Sequence, residues 1–363
     1  MYIKSIKISS FRNFISLTTD FYPRANVFFG QNGSGKTNLL EAIFVLCLGR
    51  SHRSASDVII INRGANFYRI EGEIVKEGER VQSLSVAFEK GGRKKITLNK
   101  VPLKIAELYK NFSAVIVSPE DSNIISGPPS VRRTFIDIYL SQYSQDYLKM
   151  LVDYQKILSQ KNAALKREID PTPFSELLVE YGVSIMKKRI EFLEEIKDAA
   201  FEYYHRISGG EDLYFQYKPS VNINNEVTSK DDIKEAFELS LSKNSEREKI
   251  VKTSLIGPHR DELYFSINNL PAREFGSQGE WRTAALSLKM AVYHLLREKR
   301  KLNPLLLLDE IFAELDQKRA EFLIQSFDNL GQLFLTTALK PPEFLKRDSR
   351  NYQIEKGKII NII

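Results

Sequence analysis

The sequence predicts an α/β protein built on a phosphate-binding loop, with a block of helices inserted into the chain. Three observations carry that prediction. Residues Gly30-Gln31-Asn32-Gly33-Ser34-Gly35-Lys36-Thr37 fit the pattern G-x-x-x-x-G-K-[ST]. An unbroken apolar run, Leu305-Leu306-Leu307-Leu308, closes on Asp309-Glu310. Between the two, residues 131–206 read as long helical stretches with few breakers.

At 363 residues the chain exceeds one ordinary core, so two domains are expected. Hydrophobic content of 42% and charged content of 27% are those of a soluble globular protein. No apolar run approaches the roughly 20 residues of a membrane span. Met1-Tyr2-Ile3-Lys4-Ser5-Ile6 lacks the apolar core of a signal peptide, so a cytoplasmic protein with no membrane partner is expected. Cys47 is the single cysteine, which rules out an intrachain disulfide and reads as a core residue. His52, His205, His259 and His294 are scattered and show no metal-ligand spacing. The net charge is +7, unevenly spread: residues 131–250 carry 18 Lys and Arg against 21 Asp and Glu, the remainder 35 against 25. A nucleic-acid partner would therefore meet its basic excess on the phosphate-loop part.

Taken in order, Ile3, Ile6 and Ile8 begin an N-terminal strand that turns at Arg12-Asn13, and Leu17 to Phe21 returns as a second. Ala25 to Phe29 is a short buried strand. Asn38 to Leu46 is an apolar helix without Gly or Pro, so strand, glycine loop and helix follow in the order a phosphate site needs. Residues 57–107 turn β-rich, from Val58-Ile59-Ile60-Ile61 through alternating runs at 67–72 and 81–88 to Ile96-Thr97-Leu98, which reads as an antiparallel meander. Arg93-Lys94-Lys95 at a hairpin tip reads as a solvated turn rather than a binding patch. Ala114-Val115-Ile116-Val117 has the continuous apolar character of a parallel strand and delivers Ser118-Pro119-Glu120-Asp121 to its end. Ser130 then caps one helix over 131–168. A second helix covers 174–206, a polar connection 219–230, and a shorter helix 231–245. Helices of that length reach roughly 45–50 Å. Strand character returns at Leu263 to Ile267, a helix fills 283–300, and buried strands follow at Leu305 to Leu308 and Leu333 to Thr337. The expected division is 1–125, 126–250 and 251–363.

The chemistry concentrates at two places. In a phosphate loop the glycines turn backbone N–H groups toward one point, Lys36 reaches the β- and γ-phosphates, and the Thr37 hydroxyl sits on Mg²⁺. Asp309 would hold the same ion and Glu310 would accept a proton from the attacking water. A strand ending in Asp-Glu is a weak signal alone; paired with a phosphate loop it becomes a strong one. Ser277-Gln278-Gly279-Glu280 opens a helix about 30 residues earlier. It reads either as a capping box or as an anion site at a helix N-terminus.

Together with Ala313-Glu314-Leu315-Asp316, these elements resemble an ABC-type ATPase head: a mixed sheet core plus an antiparallel β lobe, here with an inserted α-helical arm. The resemblance implies ATP and Mg²⁺ as cofactors and an ATP-dependent homodimer, with Ser277, Gln278 and Gly279 facing the nucleotide of the partner. It narrows further. Phe11-Arg12-Asn13-Phe14, Ser118-Pro119-Glu120-Asp121, Gly127-Pro128-Pro129-Ser130-Val131-Arg132-Arg133 with Asp137, and Gly257-Pro258-His259-Arg260-Asp261 are similar to the bacterial RecF family, of SMC/Rad50-like heads with a short arm. That likeness implies ATP-dependent binding of double- and single-stranded DNA at gaps or junctions. It also implies work with RecO and RecR in loading RecA. Arg12 and Asn13 are nucleotide contacts by analogy, or equally a conformational turn. Glu120 occupies the place expected of a Q-loop residue near the metal, and Thr336-Thr337 the place of the usual switch histidine. Arg132 or Arg133 reads as pairing with Asp137 along the helix more than as touching phosphate. The rival readings are an SMC-like scaffold with DNA incidental, a transporter ATPase subunit, and an ATPase-TOPRIM nuclease.

Overall fold

The computed structural model describes residues 1–76, 80–223, 229–311, 330–338 and 348–362. Two compact units divide the chain: residues 1–121, 206–208 and 292–363 form one, residues 122–205 and 209–291 the other.

The first unit holds two six-stranded sheets. One is antiparallel, built from β1 (Tyr2–Phe11), β2 (Phe14–Asp20), β4 (Phe67–Val75), β5 (Gln82–Glu89), β6 (Lys95–Leu98) and β7 (Val101–Pro102), in the order β2-β1-β4-β5-β6-β7. The other is mixed. It contains β3 (Ala25–Phe29), β8 (Ala114–Val117), β12 (Leu305–Leu308), β13 (Leu333–Thr337), β14 (Ser349–Glu355) and β15 (Lys358–Ile362), in the order β15-β14-β3-β13-β12-β8. Helix α1 (Lys36–Leu48) touches strands of both sheets. That placement explains its sequence, since a helix covered on all sides needs no polar stripe. Helix α2 (Ile105–Asn111) follows the antiparallel sheet. Phe21, Phe28, Phe334 and Tyr352 pack edge-on and stacked over the mixed sheet at centroid distances of 4.9–6.4 Å. Buried Gln332 fastens one sheet to the other, accepting from Ile3 N at 2.7 Å and donating to Ile3 O at 2.9 Å.

The mixed core, the antiparallel lobe and the two buried parallel strands stand as the sequence predicts. Val58 to Ile61 does not. Asp57–Ile60 is a 3₁₀ turn, and Ile61 makes an isolated bridge to Phe11. Strand β1 is already paired by β2 on one edge and by β4 on the other, so only its last residues are free to accept another segment. Lys94 is anchored, paired with Asp57 at 2.9 Å, while Arg93 and Lys95 are exposed.

The second unit contains α3 (Asn123–Ser126), α4 (Pro129–Tyr143), α5 (Gln145–Lys166), all but the last three residues of α6 (Thr172–Ser208), and α7 (Lys230–Val251). A three-stranded sheet joins them, β9 (Leu213–Lys218), β10 (Glu262–Ile267) and β11 (Leu270–Pro271), followed by α8 (Ala272–Phe275) and most of α9 (Gln278–Arg300). The single helix expected over 131–168 is two. Ser144 leaves the helical backbone and its side chain caps Tyr147 N, ending α4 and starting α5. Helix α4 starts at Pro129, not after a Ser130 cap, because proline's fixed φ and missing N–H suit a first turn. Strand β9, which the sequence reading left out, pairs antiparallel with β10.

Charged side chains brace this unit. Arg189 is buried, donating to Asp137 Oδ1 at 2.8 Å, to Tyr147 Oη at 3.0 Å and to Pro258 O at 2.6 Å. Asp261 is equally buried and accepts from Ser220 N at 2.7 Å and from the Tyr217 hydroxyl. Neither Arg132 nor Arg133 pairs with Asp137. Arg132 forks onto Glu262 at 2.5 and 3.0 Å, and Arg133 donates to Asp261 O at 2.8 Å. The helical spacing to Asp137 was available, but a bidentate partner on β10 offers better geometry than a neighbour one turn away. No helix among the described residues is long and apolar enough to cross a membrane.

Two predictions follow from the buried groups. Asp137→Ala leaves Arg189 only its longer pairing with Asp261, at 3.6 Å, and should cost about 2–3 kcal/mol in denaturant unfolding. The exposed Lys197→Ala should change stability by less than about 0.5 kcal/mol. His259 is packed between Tyr154 Oη, 2.7 Å from its Nδ1, and Ser254 O, 3.2 Å from its Nε2. Burial pushes its pKa down to about 4. The unfolded chain therefore binds more protons between about pH 6.5 and 4. Stability should be full above that window and fall as pH drops through it. His259→Gln should flatten that slope in a pH series of unfolding midpoints.

Candidate functional site

Strands β3, β13, β12 and β8 run parallel, so their C-terminal ends open on the same side of the mixed sheet. Strand β3 feeds the loop Gly30 to Gly35, and β12 ends in Asp309-Glu310. Backbone φ is +150° at Gly30, +78° at Gly33 and +113° at Gly35, values that favour glycine. Gly35 is also crowded: a Cβ there would stand 2.7 Å from Asn13 Nδ2. The loop is held from behind. Ser34 O accepts from Gly357 N at 2.8 Å and from Asn13 Nδ2 at 3.4 Å, while Asn13 Oδ1 accepts from Asn38 Nδ2 at 2.8 Å. Gln31, Asn32 and Gly33 form an exposed rim.

Lys36 is buried. Its Nζ donates to Gly30 O at 2.8 Å and Gln31 O at 3.1 Å and pairs with Glu310 Oε1 at 3.3 Å. Thr37 Oγ1 donates to Asp309 Oδ1 at 3.0 Å. Burial pushes the Asp309 carboxyl above the ordinary carboxylate range. Hydrogen bonds from Thr336 and Thr37 pull it back, and the charges of Glu310 and Glu120 push it up again. The structure thus brings Lys36, Thr37, Asp309 and Glu310 to one point.

The donor set fits a nucleotide with its cation. Ser34 Oγ is buried without a hydrogen-bond partner beside the loop, an orphaned group that a ligand oxygen would satisfy. Among the described residues no three His, Cys, Asp or Glu side chains form a metal cluster. Such an ion would rest on Thr37, Asp309 and phosphate oxygens, the usual manner of Mg²⁺.

Other expected site residues are committed elsewhere. Arg12, at φ +51°, forks onto Glu41 at 2.6 and 2.8 Å, so its guanidinium braces the turn. Glu120 is exposed and pairs with Arg53 at 3.3 Å; it reaches Asp309 through its charge, with no contact. Ser277, Gln278 and Gly279 lie exposed in the second unit. There Ser277 N donates to Glu280 Oε2 at 2.6 Å and Ser277 Oγ accepts from Glu280 N at 3.2 Å, the reciprocal capping box. Ala313 to Asp316 lie outside the described residues.

Sequence reasoning missed Glu41, Ser51 and Arg53, and gave Thr336 only the place of a switch residue. Buried Glu41 accepts from Arg12 and from Ser51 Oγ at 2.5 Å, and lies 3.9 Å from Arg53. Its signal was available, a lone carboxylate in the apolar run of α1. Thr336 Oγ1 donates to Asp309 Oδ1 at 2.6 Å and accepts from Glu310 N at 2.9 Å.

Fold and loop together define an ABC-type ATPase head. The comparisons agree. The RecF/RecN/SMC N terminal domain family matches residues 2–359. The DNA replication and repair protein RecF of Bacillus cytotoxicus is 39% identical over 345 residues, 93% of this chain and 92% of its own. That of Bacillus cereus is 38% identical over 347 residues, with the same coverage. The solved structure of the recombination mediator protein RecF with ATP, from the RecFOR pathway, superposes with a TM-score of 0.91 at 31% identity, covering 100% of this chain and 97% of that one. The Smc head of Pyrococcus furiosus, at 16% identity and a TM-score of 0.54 over 100% of this chain and 96% of its own, shares the fold alone. The chain belongs to the RecF family.

Because Glu41 holds Arg12 and Ser51 in a dry place, Glu41→Ala should destabilise the first unit by about 3 kcal/mol. Glu41→Gln, which keeps one acceptor, should lose less. Unfolding in urea measures both.

Proposed function

We propose that this chain is an ATP-dependent DNA-binding ATPase of replication and recombinational repair. The convergence of Lys36, Thr37, Asp309 and Glu310 carries the reading. The curated relatives are replication and repair proteins, and a close structural neighbour is described with ATP.

In this reading the backbone amides of Gly33 to Thr37 and the Lys36 ammonium bind the phosphates, with Gly30, Gln31 and Asn32 closing the loop. Thr37 and Asp309 would hold Mg²⁺, with Glu120 available to it once released from Arg53, and the ion bound there would supply neutralisation of charge on the phosphate oxygens. Glu310 orients the attacking water and takes its proton. Asn13 keeps the loop in shape; Arg12 keeps Asn13 in place.

ATP closes a homodimer in which Ser277, Gln278 and Gly279 of one protomer meet the nucleotide held by its partner. The closed dimer binds gapped or junction DNA, acts with RecO and RecR to promote RecA loading on single strands, and is reset by slow hydrolysis. The head is residues 1–125 with 251–363, and the inserted arm 126–250. Phosphate contacts dominate the affinity, so DNA binding falls steeply with salt.

Lys36→Ala and Asp309→Ala should abolish ATP-dependent dimers in analytical ultracentrifugation, while Glu310→Gln should accumulate them. Glu310→Gln should also bind labelled gapped duplex in fluorescence anisotropy with ATP–Mg²⁺ and release it with rising salt. Equal DNA binding without nucleotide would detach DNA from the ATP cycle and sink the clamp reading.

A further inference from the structure

Strand β13 lies between β3 and β12. Its end therefore stands between the strand that feeds the phosphate loop and the strand that delivers Asp309-Glu310. Thr336, on that end, is fully buried. Its one hydroxyl makes two bonds of opposite sense. The hydrogen goes to Asp309 Oδ1 at 2.6 Å, and the oxygen accepts the backbone N–H of Glu310 at 2.9 Å. Glu310 has φ +51°, a left-handed backbone that a residue with a Cβ keeps only where its surroundings hold it.

We propose that Thr336 is the positioning residue of the hydrolytic carboxylate. By holding the Glu310 peptide and the Asp309 carboxylate through the same oxygen, it sets the metal-side group and the water-side group in one fixed relation. The inference rests on the ATPase reading above and extends it to a residue that no part of that reading uses.

The polarity of the hydroxyl is the physical core. An ionised Asp309 accepts only, so the Thr336 hydrogen is committed to it. One of the oxygen's two lone pairs then accepts the part-buried Glu310 N–H. Valine has the same shape and neither bond. Serine has both bonds without the methyl. A spacer that merely fills volume would tolerate valine and gain nothing from serine; a positioning hydroxyl does the reverse.

The test compares full-length wild type, Thr336→Val, Thr336→Ser and Glu310→Gln. Three readouts are taken: hydrogen exchange of the segment carrying the Glu310 amide without nucleotide, equilibrium binding of a fluorescent ATP analogue, and single-turnover ATP hydrolysis. In Thr336→Val the exchange at Glu310 should rise at least about tenfold. Analogue binding should stay within about threefold while hydrolysis falls by roughly 100-fold, a loss confined to the chemical step. Thr336→Ser should restore exchange and hydrolysis together. If Thr336→Val does not fold, Thr336→Ala is read the same way.

Wild-type hydrolysis in Thr336→Val, with Glu310→Gln slow, would overturn the role of Thr336 and leave the ATPase reading standing. Binding and hydrolysis falling in step, without rescue by serine, would mark a structural role only and equally overturn it. Normal hydrolysis in Glu310→Gln would remove the ATPase assignment of Glu310 and this proposal with it.

Discussion

Asp309 follows a strand whose side chains are all buried, and the residue itself is 2% exposed. A charge in that position costs several kcal/mol unless hydrogen bonds replace the lost water. Two threonine hydroxyls do so, one from α1 and one from β13. Each comes from a segment that follows or ends a parallel strand, and that is the constraint behind the architecture. Parallel strands present their C-terminal ends on one side. Loop and carboxylate can then meet although Thr37 and Asp309 lie 272 residues apart in the chain, and the Thr336 hydroxyl, 27 residues further on, joins them. The apolar strands that look featureless in sequence exist to hold these ends in register.

The second unit follows the same logic with different partners. Its helices are tied to β10 by arginines. Arg132 also donates to Gly127 O at 2.8 Å, and Arg189 links Asp137 with Pro258. These bonds fix the segment Gly257 to Ile267, which leads through β11 and α8 to Ser277. Trp281 closes the path, its indole N–H donating to Ala272 O at 2.6 Å. The capping box at Ser277 thus stands on a braced base. It leaves Ser277, Gln278 and Gly279 exposed, with Glu280 and Trp281 half-buried behind them.

Legibility divided along physical lines. The phosphate loop was readable because its function needs a fixed covalent spacing, three glycines, a lysine and a hydroxyl in eight residues. Leu305 to Glu310 was readable because burial on both faces demands an unbroken apolar run. The partners of Arg12, Arg132 and Glu120 were not readable, because tertiary pairing chose Glu41, Glu262 and Arg53 from distant segments. Local rules favoured Asp137 for Arg132 and lost to a fork of better geometry. Val58 to Ile61 had the composition of a strand, but β1 beside it was already paired by β2 and β4, which left only a single bridge from Ile61 to Phe11. The break at Ser144 turned on one hydroxyl choosing a cap over the helix interior, a choice that spacing alone does not reveal.

The lysine of the loop shows why such a site is built before its ligand arrives. Lys36 gives hydrogens to Gly30 O and Gln31 O and pairs with Glu310, so its charge is balanced in a buried place by the chain's own oxygens. In the proposed function a phosphate entering the loop would exchange one anionic partner for another, so little reorganisation would be needed as charge develops on it, the condition for strong electrostatic stabilisation. The same exchange would free Glu310 from the lysine for the water molecule that the reading assigns to it.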